Sequence, residues 1–307
     1  MNSVRTGVLL AAMTALFLFV GYMIGGATGM VLALIFAAVT NGIAFWGSDR
    51  IALSRHRAQP VTVMSHRGLI EMVARLSAQA GIPAPRVYLM DSNQANAFAT
   101  GRDPENAAVA VTRGLLRHLS TEEVEGVIAH ELAHIRNRDT LTMTVAATFA
   151  GAISVLANIG FWLGGNRQQG HFGRVGVLIA AILAPTAAAL VQMSVSRTRE
   201  YAADRAAAEI TGNPLAMASA LRTISNQATW SRMPQAEANP GSAHMFIVNP
   251  LVGLRIDRLF STHPPTPKRI AALEAMAYEG GYRQPRKETM AERLNLRPTS
   301  VPKVLRR

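Results

Sequence analysis

Five residues carry the clearest chemical signal: His130-Glu131-Leu132-Ala133-His134, an H-E-x-x-H pattern. On an α-helix, residues four apart share one face, about one turn or ~5.4 Å along the axis. His130 and His134 can therefore aim imidazole nitrogens at a common point, where a Zn²⁺ would accept bonds of roughly 2.0–2.1 Å from each. Glu131 is rotated by about 100° from His130. That takes it out of the bite but leaves it able to draw a proton from an attacking water as general base. The chain contains no Cys, which excludes a thiolate metal site, a disulfide framework and a cysteine nucleophile. Any metal must be held by His and carboxylate.

Two histidines do not complete a catalytic zinc site, which takes three protein ligands and keeps one open position. The best third ligand lies in Glu200-Tyr201-Ala202-Ala203-Asp204. Glu200 and Asp204 are four apart and share a helix face. Glu200 would ligate one Zn²⁺ per chain, and Asp204 would accept the second N–H of a ligating histidine and so fix its tautomer.

The long gap between His134 and Glu200 is explained by what fills it. Thr140–Asn166 and Val175–Ser196 are uncharged, and a spanning helix needs only ~20 apolar residues. These stretches predict a membrane hairpin over 141–163 and 175–196, with Pro185 kinking its second arm. If the H-E-x-x-H helix continues into the first arm, His134 lies ~10 Å before the span and Glu200 ~6 Å after the other. The hairpin then returns Glu200 to the depth from which His134 left, and the metal sits within a turn or two of the membrane surface.

A second hairpin precedes it. No charge occurs from Thr6 to Ser48, and Gly25-Gly26-Ala27-Thr28-Gly29 divides this run into spans of about 7–24 and 30–46. Trp46 is placed as an interfacial aromatic. Arg50, Arg55 and Arg57 follow at once, which puts this end in the cytoplasm under the positive-inside rule. Arg167 and Arg174 in the loop 164–174 run against the rule but are outnumbered. The formal charge of +12 thus reads as cytoplasmic flanks of membrane spans. No basic cluster is interleaved with stacking aromatics, so nucleic acid is not an expected partner.

The polar remainder supplies the frame. Residues 65–80 read as an amphipathic helix ended by Gly81. Val87–Met90, Ala95–Thr100 and Ala107–Thr112 read as strands of a small sheet. Ser120-Thr121-Glu122-Glu123 is a capping box that starts the H-E-x-x-H helix. Helices are expected over 198–210, 215–227, 251–260 and 268–277, with a loop over 230–250. From Gly280 the basic, Pro-containing tail reads as disordered.

His-Glu-Leu-Ala-His, Arg-Glu-Tyr-Ala-Ala-Asp, Asn96-Ala97-Phe98-Ala99 and His263-Pro264-Pro265 follow one another in an order that resembles the HtpX family. These are bacterial membrane-bound zinc endopeptidases, distantly related to CAAX prenyl proteases. The resemblance implies an α+β integral membrane protein with four transmembrane helices and a zincin-like, mainly helical peptidase domain carrying a small sheet. The parts would be 1–47 (first hairpin), 48–140 (peptidase, first part), 141–196 (second hairpin), 197–279 (peptidase, second part) and 280–307 (tail). It implies cleavage of misfolded or damaged membrane proteins, or unfolded polypeptide, at the cytoplasmic face of the inner membrane. It also implies roles for Asn96 at the rim of the site, where an edge strand could align substrate, and for His263 near the oxyanion. Arg269, just after the same motif, is a candidate partner for Asp204. Two other readings stand beside this one. The first is a CAAX-type prenyl endopeptidase, which expects more spans than four. The second is a non-enzymatic membrane scaffold with a structural metal, which expects a fourth protein ligand. Substrate identity and oligomeric state are not legible.

Overall fold

The computed structural model describes residues 2–164, 196–251 and 264–280. The order begins with α1 (Asn2–Trp46), α2 (Ser48–Arg55), β1 (Gln59–Pro60), α3 (Val63–Ala80), β2 (Arg86–Met90), β3 (Ala97–Gly101) and β4 (Ala107–Thr112). It continues with α4 (Arg113–His118), α5 (Thr121–Arg136), α6 (Asp139–Gly164), α7 (Arg197–Thr211), α8 (Pro214–Trp230), α9 (Pro234–Glu237) and α10 (Thr266–Gly280). Short 3₁₀ turns cover Pro104–Asn106 and Pro240–Met245.

α1 is a hairpin. Gly25 and Gly26 leave helical geometry, and Gly26 takes φ 58°, a left-handed value open to glycine at no steric cost. The two arms, Thr6–Met23 and Gly25–Trp46, are long and apolar enough to cross a membrane. Their outer faces expose Phe19, Val31, Leu32, Ile35, Phe36, Val39 and Trp46. Among the described residues no other helix meets that test. The expected third span, 141–163, falls inside α6. The start of α6 is buried against α1 through Val145, Phe149 and Ile153, which meet Leu9, Met13 and Phe17. The expected fourth span, the 251–260 helix and the tail lie outside the described residues.

The small sheet has the order β1-β2-β4-β3. β2 and β4 run parallel, while β1 and β3 pair antiparallel with their neighbours. β4 is buried along its whole length, which suits a strand covered on both faces. β3 forms the edge, and there an isolated antiparallel bridge joins Phe98 to Phe246.

α5 is the hub and touches α3, β3, β4, α6, α7 and α8. Its start is fixed by the expected capping box: Ser120 accepts from the Glu123 N–H, and the Glu123 carboxylate accepts from the Ser120 N–H at 2.7 Å. The same carboxylate accepts from Ser219 on α8. Gly126 lets α8 approach closely, because a Cβ there would lie 3.2 Å from the Met217 backbone. α3 packs Leu69, Met72, Val73 and Leu76 into the same core and ends, as its sequence predicts, at a left-handed Gly81.

The H-E-x-x-H helix does not run on into the next helix. It caps at Asn137, Arg138 takes φ 57°, and α6 starts afresh at Asp139. The 230–250 stretch, expected as a loop, carries the short helix α9 and a 3₁₀ turn, and residues 241–251 are buried between the sheet and α6.

Candidate metal centre

α5 presents His130 and His134 on one face, one turn apart. α7 brings Glu200 to the same point. The ligand atoms of these three buried residues lie within 4.8 Å of one another, the one such three-residue cluster among the described residues. His130 Nε2 and His134 Nε2 are 3.2 Å apart, and Glu200 oxygens lie 3.5 Å from His134 Nε2 and 3.8 Å from His130 Nε2. Tetrahedral ligation with bonds of roughly 2.0–2.1 Å separates ligand atoms by about 3.3–3.4 Å. The residues therefore fit a zinc-sized ion with only small adjustment of Glu200.

Each histidine is held by its other nitrogen. His130 Nδ1 lies 3.0 Å from Asp204 Oδ1, and His134 Nδ1 lies 3.1 Å from Asp139 Oδ2. Carboxylates on Nδ1 favour the tautomer that leaves Nε2 free to ligate. Each aspartate is in turn held by an arginine. Arg269 reaches both oxygens of Asp204, at 2.8 and 2.6 Å, and Arg199 reaches Asp139 at 2.9 Å. Arg269 is fully buried, donates to the Ile247 carbonyl at 2.9 Å and lies 3.6 Å from Glu200.

The electrostatics ask for a cation at the point where the ligands meet. Burial lowers the His130 pKa to about 4 despite Asp204, so that imidazole is neutral and able to ligate. Burial also opposes a charge on His134, but Asp139, Glu200 and Glu131 overcome it and push its pKa up to about 9. Without a metal, a proton on His134 supplies the positive charge that these carboxylates demand, and a divalent ion can take its place. Burial raises the Glu131 carboxyl to about 7, with Glu200 adding to the effect and the Ala99 N–H and His134 resisting it. Asp204 is held at about 2 because Arg269 outweighs its burial.

Glu131 lies beside the outer edge of β3, on the side away from β4. Along that edge the Ala99 N–H serves Glu131, the Ala97 carbonyl accepts from Ile247 at 3.1 Å, and the Gly101 carbonyl accepts from Thr140 at 2.9 Å. Asn96, just before β3, is wholly buried. Its amide donates to the Val248 carbonyl at 2.9 Å and its oxygen accepts from the Ala97 N–H. In this arrangement Asn96 acts on the edge from inside, by fixing the 246–248 segment. His263 lies outside the described residues.

The structure thus brings His130, Glu131, His134, Glu200 and Asp204 together, with Arg269 on Asp204. Asp139 and Arg199 join the site without a signal in the sequence. Asp139 lies five residues beyond His134, a spacing that points away from the histidine on a continuous helix. Only the break at Arg138 turns it back, and neither Gly nor Pro marks that break.

The profile of peptidase family M48 matches residues 64–277, more than half of the chain. Among solved structures, the chain is similar to the crystal structure of S. mikatae Ste24p. The identity is 18%, the match covers 86% of this chain and 62% of that one, and the TM-score is 0.49. The chain therefore spans less than two thirds of the length of that relative.

Proposed function

Because the chain belongs to peptidase family M48, which includes the HtpX and Ste24 proteases, we propose that it is a membrane-bound zinc endopeptidase. Its substrates on this reading are misfolded or damaged membrane proteins, cut at the cytoplasmic face of the bacterial inner membrane. The observation that carries the reading is the convergence of His130, His134 and Glu200 beside the buried carboxyl of Glu131, a group placed to serve as general base.

His130, His134 and Glu200 would hold the zinc. When bound, the ion supplies Lewis acidity that activates water and polarises a carbonyl. Glu131 accepts the proton of the attacking water and returns it to the leaving amine. Asp204 and Asp139 hold the imidazoles in register, and Arg269 and Arg199 hold the aspartates. Asn96, buried beside β3, would brace the strand whose Ala99 N–H serves Glu131, and His263 would donate to the developing oxyanion, as the family resemblance implies. The exposed apolar arms of α1 support anchoring in the bilayer, where substrates of this class reside.

The test is cleavage by the detergent-purified chain of an unfolded membrane protein and of a prenylated CAAX peptide. The reading predicts cleavage of the first that a chelator abolishes and Zn²⁺ restores. Chelator-insensitive cleavage, or turnover confined to the prenylated peptide, would overturn it.

A further inference from the structure

We propose that a basic groove at the foot of the N-terminal hairpin is a binding site for the phosphate of an anionic phospholipid headgroup. The proposal rests on the membrane placement of α1. Arg50, Leu53, Ser54 and Arg57 follow the spacing i, i+3, i+4, i+7 and so form one face of α2 and its end. That face lines an open groove of about 480 Å³, together with Gln59 and Tyr88. Two guanidinium groups line it and no carboxylate does. The nearest acid in sequence, Asp49, is taken up by Arg86 at 2.7 Å. Neither Arg50 nor Arg57 has an ion-pair partner among the described residues.

The Arg50 end of the groove lies at headgroup depth. Gly47 keeps the hydrogen-bonded path from α1 into α2, donating to Ile43 at 2.8 Å and accepting from Ile51 at 3.0 Å. Arg50 therefore follows Trp46 by about 6 Å along the helix, inside a headgroup layer roughly 5–8 Å thick. Phe45 and Trp46 line an adjoining cavity of about 320 Å³ that shares Arg50 with the groove and also holds Asp49, Glu105, Arg86 and Arg102. Trp46 is two-thirds exposed, as suits an interfacial anchor.

Arg57 adds a second, independent observation. It closes α2 in a left-handed conformation, φ 50°. Glycine is the residue usual at that position, because any side chain there is disfavoured. Arginine in place of glycine keeps a strained backbone and gains a side chain that lines the groove.

The experiment uses the full chain in nanodiscs of equimolar phosphatidylcholine and phosphatidylglycerol. Lipid retained after release into detergent is read by native mass spectrometry. Wild type is expected to retain phosphatidylglycerol over phosphatidylcholine. The preference is expected to fall about fivefold with Arg57→Gly and roughly 30-fold with Arg50→Gln plus Arg57→Gln. Arg57→Gly relieves the backbone strain, so its melting temperature should be unchanged or higher, which separates lost binding from lost folding. Equal retention of the two lipids by wild type, or an undiminished preference in the double variant, would overturn the proposal. So would displacement of the lipid by millimolar inorganic phosphate, which would make this a site for soluble anions. Failure of wild type to enter any nanodisc would overturn the membrane placement and the lipid site with it.

Discussion

Replacing Arg269 by Leu tests how the metal centre is held together. The guanidinium is buried, grips both oxygens of Asp204 and donates to the Ile247 carbonyl. Its removal leaves Asp204 as a buried carboxylate without its counter-charge, which costs about 3–5 kcal/mol. The orphaned carbonyl adds roughly 1–3 kcal/mol where water cannot reach it. Even the lower end is a large part of a typical stability of about 5–15 kcal/mol. A loss of about 4 kcal/mol lowers Tm by roughly 8–16 °C for a domain of this size. Thermal unfolding in detergent, followed by intrinsic fluorescence, measures it. Adding Asp204→Asn removes the uncompensated charge, so the double variant should recover part of the loss. If Arg269→Leu melts within about 2 °C of wild type, or if the second substitution deepens the loss, the buried-charge argument is wrong.

Three further outcomes follow from the same structure. Asp139→Asn removes the carboxylate that holds His134 Nδ1 and should weaken zinc affinity by about 10–100-fold in chelator competition; unchanged affinity would show that His134 needs no such support. Glu200→Ala removes the third ligand and should lose the metal on purification, so full occupancy by elemental analysis would refute that assignment. His56 is buried beside Phe98 and Phe246, with Nε2 2.9 Å from the Ser242 hydroxyl, and burial followed by Arg55 lowers its pKa from 6.5 to about 4. The unfolded chain takes up this proton near pH 6.5 and the folded chain does not until about pH 4. Its contribution is thus complete above pH 6.5 and falls away by up to about 3 kcal/mol as the pH drops to 4. His56→Gln should flatten that part of the stability–pH profile, and an unaltered slope would contradict the account.

Much of the site could be read from the sequence because its parts obey short-range rules. His130 and His134, like Glu200 and Asp204, share helix faces at i, i+4. The Ser120–Glu123 box marks where α5 begins, and the apolar runs of β2 and β4 mark strands. Other parts depend on contacts that no local pattern announces. The break at Asn137-Arg138 has no Gly or Pro, so the charges of Arg136, Arg138 and Asp139 read as a membrane flank. They hide the aspartate that supports His134. The 230–250 segment reads as a solvent loop because Pro, Asn and Ser dominate it. In the fold, Met245, Phe246 and Ile247 anchor it in the core, and its Ile247 carbonyl ties Arg269 to the edge of β3. The parallel pairing of β2 with β4, which makes β3 an edge, is likewise a long-range choice.

The central claim is that Glu131 is the base of a metallopeptidase and not a ligand of its metal. Zinc content and hydrolysis of an unfolded membrane substrate, measured side by side on wild type and Glu131→Gln, test it most directly. The account predicts one zinc per chain in both proteins, with hydrolysis in wild type alone. Undiminished hydrolysis by Glu131→Gln, or loss of its zinc, would contradict it.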